Sequence, residues 1–261
     1  MSDDKKSEDL AEGTLMSHLL ELRNRLMKAM LGLLITFIPC AVYANELFTL
    51  IAQPLIDKLP TGTSLIATSV VSPFMTPFKV AFYVGLFLAM PVVLYQIWAF
   101  VAPGLYRREK RFAVPLLVSS VILFYSGAVF AYFAVFPVMF SYLVGTAPAG
   151  VSYMPDMASY LDFVLTLFFA FGVAFEMPVA VVLLVLTGLV NVDTLGKNRG
   201  YVIIGIFVVA AFLTPPDAIS QTIMAIPMYL LYEGGLVMAR VMQKMRREAA
   251  EAAEKEEAKA S

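Results

Sequence analysis

Charge is scarce in this chain: of 261 residues only 15% are Asp, Glu, Lys or Arg, while 60% are hydrophobic. An ordinary soluble domain carries roughly 25% charged residues, so a water-soluble globular enzyme is excluded. A single cysteine closes no internal disulfide and builds no thiolate metal cluster. A single histidine, His18, supplies neither a His-rich metal site nor a histidine relay. The formal net charge of -1 leaves no overall basic field to hold nucleic acid by counterion release. Motifs are missing too. There is no G-x-x-x-x-G-K-[ST], so a P-loop does not hydrolyse nucleotide here, and no H-E-x-x-H. No enzymatic chemistry and no cofactor are expected.

What the chain has in abundance is apolar sequence. Long runs lie at 28–44, 77–101, 112–144, 158–190, 200–213 and 218–239, each bounded by charge or by Pro, Gly and Asn clusters. They predict six transmembrane helices, an all-α polytopic membrane protein. Pro39, Pro91, Pro115, Pro137, Pro178 and Pro227 fall inside these runs and suggest kinks rather than ends, because neighbouring helices can satisfy the freed carbonyls. Residues 1–27 are hydrophilic, without the apolar core and cleavage site of a secretory signal, so the N-terminus is expected to be kept. Leu15, Leu19, Leu22, Leu26 and Met30 recur there at helical spacing, which reads as an amphipathic helix on the inner membrane surface. The organisation is then an N-terminal segment to residue 27, a membrane domain over 28–240, and a charged Ala- and Glu-rich tail over 241–261.

Six crossings place both termini on one side. Seventeen of the 19 Lys and Arg residues lie on that side, and only Lys58 and Lys79 on the other. The positive-inside rule therefore puts both termini in the cytoplasm. Span lengths differ widely: two runs hold 33 residues and one holds 14, roughly 50 Å against 21 Å of helix. Tall helices beside a stunted one predict a wall around a hollow and a thinned membrane, unless part of each long run is loop. Such unequal spans also argue against a small-solute carrier built from two corresponding halves, leaving a receptor or scaffold.

Glu176 stands in the middle of the fourth run, where a charged side chain costs at least about 2.5–3.5 kcal/mol. It is either a functional intramembrane acid or a structural hydrogen-bonding group. Gly172, one turn earlier, allows another backbone to approach that face. Asp162 and Glu233 lie nearer the span ends and reach the interface more easily. At the basic side, Glu109 is set among Arg107, Arg108, Lys110 and Arg111, and Glu21 beside Arg23 and Arg25. These acids read either as solvated pairs, such as Glu21 with Arg25 at i,i+4, or as a clasp for guanidinium groups of an arriving ligand. Tyr95, Trp98 and Phe100 lead into the Glu109 loop, as an apolar wall or an interfacial aromatic belt. On the opposite side Pro215 and Pro216 end one helix, Asp217 can cap the next, and Thr214, Ser220 and Gln221 cluster at the turn.

The chain from about Leu15 to Arg240 resembles the TatC family, the multi-spanning core of the twin-arginine protein translocase. The segments that carry the likeness are HLLELRNRL at 18–26, VSPFMTPFK at 71–79, LYQIWAFVAPGLYRREKR at 94–111, ASYLDFVLTLFFAFGVAFEMPV at 158–179 and LTPPDAISQ at 213–221. The resemblance implies six helices forming a concave cup in the bacterial inner membrane. It implies a receptor for signal peptides with consecutive arginines that exports folded proteins with TatA and TatB, powered by the protonmotive force, as part of an oligomeric TatBC complex. By the same likeness Glu21 and Glu109 would hold the arginine pair, with Arg23 and Phe100 shaping the pocket. Glu176 would be the intramembrane acid, Thr214 and Gln221 the polar positions where a single-span partner docks, and Pro54 and Asp217 functional periplasmic positions. Asp162 and the segment before Leu15 stand outside the pattern.

Overall fold

The computed structural model describes residues 2–57, 64–101, 113–145, 154–214 and 217–260, and helices make up nearly all of it. The helices are α1 (Ser2–Val42), α2 (Ala44–Ile56), α3 (Ser72–Val101), α4 (Ala113–Phe130), α5 (Phe136–Gly145), α6 (Met157–Phe175), α7 (Met177–Leu186), α8 (Val192–Lys197), α9 (Arg199–Leu213) and α10 (Ala218–Ala260). Five stretches are long and apolar enough to cross a membrane, at Leu19–Val42, Ser72–Phe100, Val114–Gly145, Met157–Leu186 and Ala218–Met245, and Arg199–Leu213 is a shorter apolar helix. Helices therefore cover nearly all of the described part of each of the expected six runs, and the fourth ends at Leu186, not at 190. The long ones hold 32 and 30 residues without an intervening loop, whereas α9 has 15, about 22 Å of helix.

The prolines act in two ways. Pro39, Pro91 and Pro227 lie inside unbroken helices, as does Pro77. Pro115 is a correction: it sits in the first turn of α4, where its missing N–H leaves no bond unmade. A π-helical turn, Ala131–Val135, precedes Pro137 and joins α4 to α5. Pro178 follows the turn at Glu176 that separates α6 from α7. Gly188, with φ of 73°, ends α7 in the left-handed conformation that glycine adopts without steric penalty. The leucines before the first span form no separate element, since α1 runs through them unbroken.

The chain divides into two compact units, Met1–Thr49 with Pro77–Leu117, and Leu50–Thr76 with Val118–Ser261. In the first, α1 and α3 cross closely and antiparallel. A Cβ on Gly85 would lie 2.9 Å from the Phe37 Cα, and one on Gly32 3.1 Å from a Val92 methyl. The Thr36 hydroxyl crosses the same contact and donates to the Gly85 carbonyl at 2.7 Å. Glu21, Arg25, Ala29, Gly32, Thr36 and Cys40 form the shielded stripe of α1, while Leu22, Leu26, Met30, Leu34 and Ile38 are exposed, as a lipid-facing surface requires.

The second unit uses the same device. A Cβ on Gly127 of α4 would collide with the Phe171 carbonyl oxygen, one on Gly172 would meet the Phe124 ring at 2.6 Å, and one on Gly235 of α10 the Pro178 Cα at 2.8 Å. Small residues let backbones approach where no hydrophobic force holds helices together. Outside the spans, Ile66 pairs with Asp156 in an isolated bridge. The Asp156 carboxylate accepts from the Ser159 N–H at 2.9 Å and from the Thr68 hydroxyl and N–H at 2.8 and 3.1 Å. It caps α6 and fastens the segment before α3.

Two outcomes follow. Gly127→Ala should destabilise the detergent-solubilised protein by about 1–3 kcal/mol, read as a lower melting temperature; an unchanged transition contradicts the packing described. The Ser159 N–H, followed by the Thr68 hydroxyl and N–H, holds the Asp156 carboxyl well below the usual carboxylate range. A depressed folded-state pKa contributes stability that is complete above the unfolded value and is lost only as pH falls through the folded one. Amide exchange at Ile66 and Thr68 should thus stay slow from pH 8 to 5 and quicken in Asp156→Asn. Protection that fades between pH 8 and 5 in the unchanged protein contradicts this.

Candidate functional sites

The basic end of the first unit carries the first group of candidates. Arg25 donates through Nε and Nη2 to one oxygen of Glu21, Oε1, at 3.0 and 2.6 Å, the i,i+4 pair expected from spacing. Glu21 Oε2 is left without a partner among the described residues. Arg23 is exposed, two residues from both Glu21 and Arg25 and so on nearly the opposite face of α1 from the shielded stripe. On α3, Phe100 is half-buried and Trp98 buried, while Tyr95 is exposed, so the aromatic run is split between core and surface. Gln96 was missed by sequence reasoning: its side chain is buried and its carbonyl Oε1 has no hydrogen-bond partner among the described residues. Glu109 lies outside the described residues.

Glu176 occupies the turn between α6 and α7, half-buried. The ten residues of α7 beyond it span about 15 Å, half of the hydrocarbon thickness of about 30 Å. The fully buried Ser120 hydroxyl of α4 hydrogen-bonds the Glu176 carboxyl, whose Oε1 has no partner among the described residues. Among the described residues Glu176 forms no ion pair, so it is not one half of a sealed structural pair there. Gly172, predicted to admit a neighbour, admits the Phe124 ring.

At the far end of the spans Asp217 caps α10, accepting from the Ser220 and Ile219 N–H groups at 2.8 and 3.1 Å. The Ser220 N–H chiefly holds its carboxyl below the ordinary value. Thr214 is buried, and its hydroxyl donates to the Ala210 carbonyl at 2.9 Å. Gln221 is half-buried at the start of α10. Pro54 falls within α2, with its side chain outside the described residues. Asp162 is exposed.

An ion pair unforeseen in the sequence joins α9 to α10. Arg199 donates to both Glu233 oxygens, through Nη2 to Oε2 at 3.0 Å and through Nε to Oε1. Tyr229 adds a hydroxyl to Glu233 Oε1 at 2.8 Å, and Tyr232 donates to the Leu195 carbonyl at 2.8 Å. Glu233 is therefore bound to its neighbours rather than merely reaching for the interface. Among the described residues no group of His, Cys, Asp and Glu is placed to hold a metal ion.

Residues 17–227 match the family described as TatC, Sec-independent protein translocase protein. The chain is 54% identical over 222 residues to the Sec-independent protein translocase protein TatC of Azotobacter chroococcum mcd 1, covering 85% of this chain and 87% of that one. It is 53% identical over 226 residues to the protein of the same name from Escherichia coli (strain K12), covering 87% and 88%. Its fold is similar to the crystal structure of the twin arginine translocase receptor TatC, with a TM-score of 0.77 at 37% identity over 86% of this chain and 98% of that one.

The Arg199–Glu233 pair is partly exposed, at 40% and 27%, so its coupling should be about 1 kcal/mol or less. A double-mutant cycle of Arg199→Gln and Glu233→Gln, followed by thermal unfolding in detergent, should give a double loss smaller than the sum of the single losses. Strict additivity contradicts the pairing.

Proposed function

This chain belongs to the TatC family of Sec-independent protein translocase proteins, and on that premise we propose that it is the receptor and core subunit of a twin-arginine translocation system. As a family member it is a multi-pass protein of the bacterial inner membrane and a translocase component, not a catalytic enzyme. In the proposed role it binds signal peptides bearing consecutive arginines and, with TatB and TatA, exports folded proteins at the expense of the protonmotive force. Both termini face the cytoplasm, in keeping with the distribution of Lys and Arg.

The observation that carries this reading is the state of Glu21. It is partly shielded, on the α1 stripe that faces α3, with one oxygen on Arg25 and the other without a partner among the described residues. Pairs at i,i+4 on a helix are worth only about 0.3–0.5 kcal/mol, so Arg25 orients the carboxylate without competing strongly for it. An arriving guanidinium can take the open oxygen in a charge-assisted bond, and a carboxylate matches its fork. Glu109 supplies the second carboxylate, Phe100 apolar surface, and Arg23 the rim. At the other end Thr214 and Gln221 receive the single-span partners, and Pro54 and Asp217 fix the periplasmic geometry. Glu176 couples the inserted signal to those partners at mid-membrane, within an oligomer of the receptor with TatB.

Glu109→Gln or Glu21→Ala should abolish crosslinking of a photoreactive twin-arginine signal peptide while membrane insertion of the chain stays intact. Undiminished crosslinking in both variants sinks the clasp.

A further inference from the structure

The α3 residues that touch α1 form one line: Gly85 meets Phe37 and Val92 meets Gly32. Gln96 and Phe100 continue it at successive intervals of four residues, each displaced only about 40° around the axis. Because the helices run antiparallel, Gln96 falls level with the turn of Lys28 and Ala29, and Phe100 with that of Asn24 and Arg25. This register sets Gln96 on the side of α3 that turns toward α1, one turn, about 6 Å, before Phe100 and in the direction of the Glu21–Arg25 pair. Gln96 is 9% exposed, and its Oε1 has no hydrogen-bond partner among the described residues. A buried amide oxygen left open is costly, and each such group in a native protein calls for a reason.

We propose that Gln96 is a specificity-determining residue of the signal-peptide site, its Oε1 accepting an N–H from a guanidinium of the arginine pair. The inference rests on the receptor reading given above. A guanidinium carries five N–H donors in a rigid plane, and one carboxylate satisfies two of them. Drawn out of water between α1 and α3, an arginine needs further acceptors. A neutral carbonyl provides one at the far edge of the plane without adding charge. A lysine ammonium concentrates its three donors at one point, is strongly hydrated, and cannot span a carboxylate and a separate carbonyl. Gln96 therefore favours arginine over lysine, whereas Glu21 and Glu109 attract either cation.

The test measures binding of synthetic signal peptides with Arg-Arg or Lys-Lys to the full chain in lipid nanodiscs, by fluorescence anisotropy. Gln96→Met keeps the volume and removes the acceptor. It should weaken the Arg-Arg peptide about tenfold, leave the Lys-Lys peptide unchanged, and not lower the melting temperature. Gln96→Glu keeps an acceptor at the same reach and should bind the Arg-Arg peptide at least as tightly as the unaltered chain, which decides the matter should the Met variant not fold. Equal weakening of both peptides by Gln96→Met, or loss of the Arg-Arg peptide in Gln96→Glu, overturns the inference. Glu109→Gln separates the two levels. If it weakens the Arg-Arg peptide while Gln96→Met does not, Gln96 has no such role and the receptor reading stands; if it has no effect and the unaltered chain binds both peptides alike, the receptor reading itself fails.

Discussion

Inside a bilayer a polar atom without a partner has no water to turn to, and that constraint orders most of what this chain does with its few polar side chains. Hydroxyls within the spans are turned back on their own helices: Thr36, Ser126, Thr187, Thr214 and Thr222 each donate to a carbonyl four residues earlier. Arg199 and Glu233 neutralise one another, with Tyr229 completing the acid's shell. Against that background Gln96 Oε1 and Glu176 Oε1 are among the buried side-chain atoms with no hydrogen-bond partner among the described residues.

The helices that hold these groups are positioned by the absence of side chains. Gly32 and Gly85 bring α1 against α3, Gly127 and Gly172 bring α4 against α6, and Gly235 brings α10 against α7. Close approach of backbones gives rigidity without hydrophobic force, and rigidity is what lets a carboxylate or amide wait in place for a ligand. The turn at Glu176 belongs to the same economy. Pro178 breaks the helix there, and Glu176 occupies the break.

Much of the fold was legible because hydropathy reports the solvent directly. The six apolar runs became helices within a few residues of their expected bounds, Asp217 became a cap, and Glu21 found Arg25 four residues on. Local chemistry also marked Gly172 as a close contact. What escaped was tertiary. Arg199 and Glu233 are 34 residues apart, and Thr68 and Asp156 are 88 apart, so no local period joins them. Gln96 lies in an apolar run where a single amide disturbs no pattern, and only its burial without a partner draws notice. The π turn at Ala131–Val135 and the short helices α2 and α8 leave no signature in composition. Pro115 was misread because a proline in a first turn and one at a kink look alike until the helix start is known.

The central claim is that acids at the basic rim, not general apolar affinity, choose what this chain accepts. It is tested most directly by exporting a folded reporter from cells in which this chain is the sole receptor of its kind, once behind a signal with consecutive arginines and once behind the same signal with consecutive lysines. The account predicts export of the arginine form alone, abolished when this chain is removed. Equal export of both forms, or export that persists without the chain, contradicts it.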